Sequence, residues 1–289
     1  GTSVHQVGAG YIIGARSFFP DTNANVSLIK TDANGNKIWD KTVKRSGFDN
    51  NCGTEPTSDG GYIILASHYP YGYGMWLIKT DANGNKQWDA SLESQGVYRG
   101  AINSSGEHSV KQTNDGGFIS VGTLYNCSYI SCRSALLVKT DSAGNKEWHA
   151  DFGVGQSEQK ITEPNLINLH GFCVQQTSDN GYIIAGRAEI RFLSPSFFLI
   201  KTDPQGKLQW YKIFPAGGTA TSIQQTFDGG YIVTGLSQWG THLLKTDANG
   251  DKVWDKILRG SSSFVSQIDD GGYLTGGSRG STFTHSDLW

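Results

Sequence analysis

Several groups of residues have the types and spacing that chemistry needs. Oxygen-bearing side chains alternate at Asp32-x-Asn34-x-Asn36, a spacing open to calcium, yet the segment lacks the glycine and the distal glutamate of a full calcium loop. Cys127 and Cys132 flank Ser-Tyr-Ile-Ser, a span short enough to close a local disulfide, with two free thiols as the alternative. No histidine stands at metal-site spacing from that pair, so zinc is not indicated. Arg16, Arg99, Arg133, Arg187, Arg191, Arg259 and Arg279 could read a carboxylate, but none falls in a recognisable motif. There is no Gly-x-Ser-x-Gly, His-Glu-x-x-His or phosphate-cradling Gly-Lys-Ser/Thr pattern. Recognition remains. Tyr69, Tyr71 and Tyr73 crowd one glycine-rich loop, Tyr125 and Arg133 bound a second insertion, and Phe192 opens a third. Tyr beside Gly gives stacking and hydrogen-bonding surface at small entropic cost. These residues are the ligand-binding candidates, against ordinary solvent-facing loops. No catalytic residue and no metal ligand is assigned.

Composition narrows the partner. The 289-residue chain carries a net charge of −2 and a pI near 6.4, so it has no electrostatic footprint for nucleic acid or an anionic membrane. It contains no apolar run long enough to span a bilayer as a helix. The abrupt start at Gly1-Thr-Ser fits a mature or trimmed chain, and a secreted or cell-surface location is expected.

The elements that must position the loops are repeats. Gly-aromatic anchors recur at Tyr11, Tyr62, Phe118, Tyr182, Tyr231 and Tyr273, spaced by roughly 42 to 64 residues, in the range of one propeller blade per repeat. Each unit reads as four strands: a semi-polar strand A, an Asp-Gly-Gly turn, an apolar strand B such as Tyr62-Ile-Ile-Leu-Ala, and a variable loop. Strand C (Leu77-Ile-Lys-Thr) and an Asn-Gly turn then lead to strand D, ending in Trp. Asn34-Gly35, Asn83-Gly84 and Asn249-Gly250 are expected to supply the positive φ angles that suit a hairpin. The unbroken apolar run of strand B argues for a sheet covered on both faces.

These units predict an all-β fold: a six-bladed β-propeller of four antiparallel strands per blade, forming one domain over 1–289. Its blades fall near 1–44, 46–95, 96–153, 154–215, 216–260 and 261–289. Trp289 aligns with Trp76 of strand C, so the last blade is expected to be incomplete, with strand D absent from this sequence. A fragment of a longer protein, a strand donated by another subunit and a three-stranded blade each account for that, and the open sheet edge would permit self-association. Trp39, Trp88, Trp148, Trp210 and Trp254 invite a sugar-stacking reading, but their fixed place at a strand end argues for packing between blades.

The alternation of Asp-Gly-Gly-Tyr-Ile-Ile with Leu-Ile-Lys-Thr-Asp-Ala-Asn-Gly-Asn-Lys-x-Trp resembles the secreted bacterial and archaeal β-propeller repeats of the SBBP type. Its Trp-terminated portion is similar to the tryptophan-docking repeats of quinoprotein propellers, in which each Trp stacks on the neighbouring blade. Those enzymes are typically eight-bladed with dedicated cofactor residues, and the six units here are too few for that activity. Thr57-Ser-Asp59-Gly-Gly61 and its kin also resemble the Asp-box of sialidases, a structural hairpin remote from catalysis. The resemblance implies architecture more than activity. The expected function is a non-enzymatic extracellular propeller that binds a glycan or a protein or builds a surface assembly, with no cofactor. The alternatives are a glycoside hydrolase of sialidase-like form, and a filament or matrix subunit completed by strand donation.

Overall fold

The computed structural model describes residues 3–18, 24–43, 48–69, 74–92, 100–101, 109–125, 133–154, 157–215, 217–280 and 286–288. These residues form strands and turns, with no helix among them. The chain divides into two compact units, Gly1–Tyr125 with Leu136–His149, and Asn126–Ala135 with Ala150–Trp289.

In the first unit, β1 (Ser3–Val7), β2 (Gly10–Phe18), β3 (Ala24–Thr31) and β4 (Lys37–Val43) pair antiparallel in chain order. The pattern repeats in β5 (Phe48–Pro56), β6 (Tyr62–Tyr69), β7 (Gly74–Thr80) and β8 (Lys86–Ser91). A third group comprises β9 (Gly100–Ala101), β10 (Val110–Gln112), β11 (Phe118–Tyr125), β12 (Arg133–Thr140) and β13 (Lys146–Gly153); β10 to β13 are neighbours in that order and β9 lies beside β11. The last two strands contribute residues to each unit.

The second unit holds β14 (Gln159–Lys160), then four strands paired antiparallel in chain order, β15 (Leu166–Gln176), β16 (Tyr182–Ile190), β17 (Ser196–Thr202) and β18 (Leu208–Phe214), of which β15 also bridges to β12. A further sheet follows: β19 (Thr219–Gln225), β20 (Tyr231–Ser237), β21 (Gly240–Thr246) and β22 (Lys252–Leu258). Among the described residues the last sheet has three strands, β23 (Ser261–Gln267), β24 (Tyr273–Gly280) and β25 (Ser286–Leu288). Among the described residues two pairings depart from the all-antiparallel expectation. β14 runs parallel to the end of β13 at Phe152 and Gln159, and β15 meets β12 in parallel at Asn168 and Arg133. Both arise in the long lead-in before His170, which extends β15 to 11 residues.

Within each unit, successive sheets share apolar cores. Ile63 and Ile64 are neighbours on one strand and point to opposite faces, yet both are buried. Ile64 packs with Ile12, Leu28 and Ile78 in the core shared with the first sheet, whereas Ile63 packs with Val110, Phe118 and Leu136 of the third. Ile232 and Val233 divide in the same way in the second unit. This two-sided burial is why strand B reads as a continuous apolar run, and each buried Ile contributes roughly 1.5–3 kcal/mol. The strand D indoles add edge-on contacts. Trp39 meets Tyr62 at 6.2 Å, Trp88 meets Phe118 at 5.8 Å, Trp210 meets Tyr231 at 5.9 Å and Trp254 meets Tyr273 at 5.7 Å. Trp148 is half-buried on β13.

Glycine makes room for the indoles: a Cβ on Gly84 would sit 2.8 Å from the Trp39 ring, and one on Gly144 2.6 Å from Trp88. The turns that carry these glycines differ from the expectation for Asn-Gly pairs. Asp32 N–H donates to Asn36 O at 2.9 Å and Gly35 N–H to Asp32 O at 3.1 Å, and the left-handed angle falls on Gly35 alone (φ 81°). Asn34 keeps a negative φ because the Asp32 carboxylate accepts the amides of Asn34 (2.9 Å) and Asn36 (2.8 Å), holding a three-residue bend with glycine as its bulge.

Candidate functional site

Each four-stranded sheet has two ends of different character. At one end lie the A–B and C–D turns. At the other lie the B–C loop and the start of strand A.

The turn end is occupied by structure. Lys79, only 4 % exposed, donates from Nζ to Asp59 Oδ2 (2.7 Å), to the Thr80 carbonyl (2.8 Å) and to Gln87 Oε1 (3.2 Å). Asp59 also accepts from Thr57 Oγ1 at 2.6 Å and Gly61 N at 3.1 Å. Burial pushes its carboxyl up, but Lys79, Thr57 and Gly61 outweigh that and hold it down at about 2. Lys139 with Asp115, Lys201 with Asp179 and Lys245 with Asp228 repeat the arrangement. These acids serve hairpins. The alternating Asp32, Asn34 and Asn36 serve one too: Asn36 Nδ2 donates to Asp32 Oδ2 at 2.9 Å, so amides already engage both carboxylate oxygens. Among the described residues no group of three His, Cys, Asp or Glu side chains is set for a metal.

Among the described residues, the loop end of the second unit carries a polar cluster. Asn168 pairs with Glu189 across β15 and β16, and His170 pairs with Arg187, so all four share one face. Asn168 Nδ2 donates to Glu189 Oε2 at 2.7 Å, and Arg187 Nη2 lies 2.8 Å from Glu189 Oε1. His170, 4 % exposed along its side chain, sets Nε2 3.5 Å from Glu189 Oε1 and lies flat against Phe172. That distance makes it a weak hydrogen bond at best, and Asn168 and Arg187 are the firm partners. Facing His170, and despite its burial, the Glu189 carboxyl falls to about 2; Asn168 and Arg187 act in the same direction. Arg133 joins this edge through its backbone, donating N–H to Asn168 Oδ1 at 2.9 Å.

Beyond Ile190 the chain turns sharply. Arg191 N–H donates to Asn165 O at 2.9 Å, Leu193 N–H to Ile190 O at 3.1 Å, and Gly218 N–H to Pro195 O at 2.9 Å. Between these anchors Phe192 takes a left-handed φ of 66° and is 94 % exposed. A bulky residue at positive φ is uncommon, and here hydrogen bonds on both sides hold it there. The Gly218 bond ties this loop to the entry of β19. A Cβ on Gly218 would abut the Leu236 carbonyl, so the β20–β21 turn lies at the same end. That turn presents Trp239, 70 % exposed, with its N–H given to Ser237 Oγ at 3.2 Å.

Two of the candidates read from sequence therefore belong to one site: Arg133 at the edge of the polar cluster and Phe192 on the adjoining turn. Tyr69 and Tyr125 end β6 and β11 in the first unit, each at the loop end of its own sheet. Tyr71, Tyr73, Cys127 and Cys132 lie outside the described residues. Sequence reasoning missed Asn168, His170, Glu189 and Trp239, and named Arg187 and Arg191 only among arginines without a recognisable motif. Trp239 left a signal, for it fits neither the strand C nor the strand D position that accounts for the other tryptophans. His242 occupies the strand C place of Trp76 and works as a packing residue: it stacks on Phe197 at 5.2 Å and sets Nε2 3.1 Å from Asp255 Oδ2, as Trp76 Nε1 donates to Asp89 Oδ2 at 2.9 Å.

Solved structures similar to this chain show its fold. A protein of unknown function from Dyadobacter fermentans matches with a TM-score of 0.64 at 10% identity, over 99% of this chain and 92% of that one. Another, from Bacteroides caccae, matches with a TM-score of 0.55 at 12% identity, over 94% and 84%. A puromycin hydrolase matches with a TM-score of 0.53 at 12% identity, over 86% of this chain but 38% of that one. At such identities the likeness is one of fold alone, and that fold is all-β and β-propeller-like. No family model and no curated protein matches the chain.

Proposed function

We propose that the six groups of strands are the blades of one β-propeller of the SBBP kind, a non-enzymatic extracellular protein that binds a glycan or a protein through its B–C loops. The observation that carries the binding reading is Phe192, an aromatic ring 94 % exposed on a turn that hydrogen bonds hold in a left-handed conformation. Exposed hydrophobic residues scattered singly need no explanation. A large one kept in an unfavourable backbone state, beside a hydrogen-bonded polar cluster, is better explained by presentation to a ligand.

The polar cluster favours recognition over hydrolysis. Glycoside hydrolysis needs a carboxyl raised so that it stays protonated, paired with a second carboxylate across the bond. Glu189, held at about 2, is ionised at neutral pH and is a feeble base, and its oxygens are committed to Asn168 and Arg187. A glycan array and a pull-down from extracellular material, each run with the native chain and with Phe192→Ala, test the reading. The native chain should retain a ligand that the variant loses. Blank results in both assays, or binding indifferent to Phe192, would remove it.

A further inference from the structure

We propose that the loop end of β15 and β16 is a binding site for an acidic glycan, with Arg187 and Arg191 reading its carboxylate or sulfate and Phe192 flanking a sugar ring. The inference rests on the loop-binding reading and narrows it to a class of ligand.

Charge comes first. Glu189 is the carboxylate of the cluster and is already matched by Arg187, with Asn168 satisfying its other oxygen. Arg133 stands at the same edge, and Arg191 opens the turn, exposed and adjacent to Phe192. Arg187 and Arg191 together outnumber the single carboxylate of Glu189 here, on a chain whose net charge is −2. Next come donors. A guanidinium has five N–H groups, and Arg187 directs Nη2 at Glu189 while its side chain stays 38 % exposed. Its Nε is buried with no hydrogen-bond partner among the described residues, so Glu189 alone anchors the head group, through Nη2, and the other Nη donors are left for a ligand. Glu189 orients Arg187 much as a fixed carboxylate orients any cationic side chain, which lowers the entropy lost on binding.

The neighbours select the class. Phe192 and Trp239 offer open ring faces at this end, suited to the C–H face of a pyranose. Asn168 is buried and its amide is spent on Glu189 and the Arg133 backbone, so it holds the cluster in place and leaves the ligand to the arginines and the rings. Nucleic acid is disfavoured by the overall acidity of the chain.

Calorimetric titration tests this with three oligosaccharides of equal length, one of uronate units, one sulfated and one uncharged, and with oligoglutamate as a peptide control. The proposal expects the uronate or the sulfated ligand to bind at least about tenfold more tightly than the uncharged sugar and the peptide. Which acid wins separates the two sources of anion. Arg191→Gln, at an exposed position, should weaken the acidic ligand by about tenfold, and Arg187→Lys should retain more binding than Arg187→Gln. An uncharged sugar or a peptide that binds as well, or an Arg191→Gln variant that binds like the native chain, overturns the acidic-glycan proposal while leaving loop binding intact. Absence of any ligand, glycan or protein, removes both.

Discussion

The Lys79 ammonium lies 2.7 Å from the Asp59 carboxylate, joining the middle strand of a sheet to the turn between its first two strands, 20 residues away. Nearly all of Lys79 is buried, whereas half of Asp59 is in solvent, so the lysine bears the desolvation and the acid relieves it.

Removing Lys79 should therefore be costly. Lys79→Met is expected to destabilise by about 1–3 kcal/mol, since it strips the Thr80 carbonyl and Asp59 of their charged donor. Lys30 holds the same place in the first sheet, but its A–B turn reads Val7-Gly8-Ala9-Gly10 and brings no acid. Lys30→Met should cost clearly less. Urea unfolding midpoints of the two variants, measured side by side, check the ordering, and equal losses would refute the role given to Asp59.

Indole docking predicts a second ordering. Gly35 and Gly84 occupy equivalent turns with φ of 81° and 75°, but a Cβ on Gly84 meets Trp39 at 2.8 Å while one on Gly35 meets nothing within 4 Å. Gly35→Ala should lose about 1–2 kcal/mol through backbone strain alone. Gly84→Ala adds an overpacking term of about 1–3 kcal/mol. Thermal melts of the two variants read the difference, and indistinguishable melting temperatures would show that the indole does not need the space.

Acid should loosen the protein in a defined window. Asp59, Asp115, Asp228 and Glu189 sit at about 2 in the folded chain, below ordinary values of 3.8 for aspartate and 4.5 for glutamate. A depressed folded value gives stability that is complete above the unfolded value and lost as pH falls through the folded one. Stability should thus decline from about pH 5 to about pH 2, and Asp228→Asn should flatten part of that slope. Unfolding midpoints across the range decide it; a profile flat down to pH 2 would contradict the carboxylate–lysine account.

Phe192 allows function to be separated from stability. Glycine adopts positive φ without strain, so Phe192→Gly should leave stability unchanged or raise it by up to about 1 kcal/mol while abolishing ligand retention. A variant that unfolds more easily would instead assign the ring a structural role.

Much of the architecture was written in the sequence. Ile63-Ile64 announced a strand buried on both faces, and Asp-Gly-Gly and Asn-Gly marked turns that exist, although the bend at Asn34-Gly35 uses one left-handed residue rather than two. The buried lysines escaped notice because a lysine in a repeat looks like a solvated position, and only coordinates show Asp59 curling back onto Lys79. The polar cluster was illegible for a different reason. Arg133, Asn168 and Glu189 lie far apart in the chain and come together through a parallel pairing and an antiparallel one that no local periodicity encodes. Phe192 stood out because it broke the repeat, while its left-handed backbone depends on the Arg191 and Leu193 amides donating to the carbonyls of Asn165 and Ile190, which no spacing rule reveals.

The central claim is that the loop end of the sheets, and not the turn end, meets the ligand. Hydrogen exchange with and without a bound glycan or protein measures this most directly. The account predicts slowed exchange at Arg191–Ser196 and Ser237–Gly240, with Thr57–Gly61 and Asp32–Asn36 unchanged; protection confined to the Asp-Gly-Gly and Asn-Gly turns would contradict it.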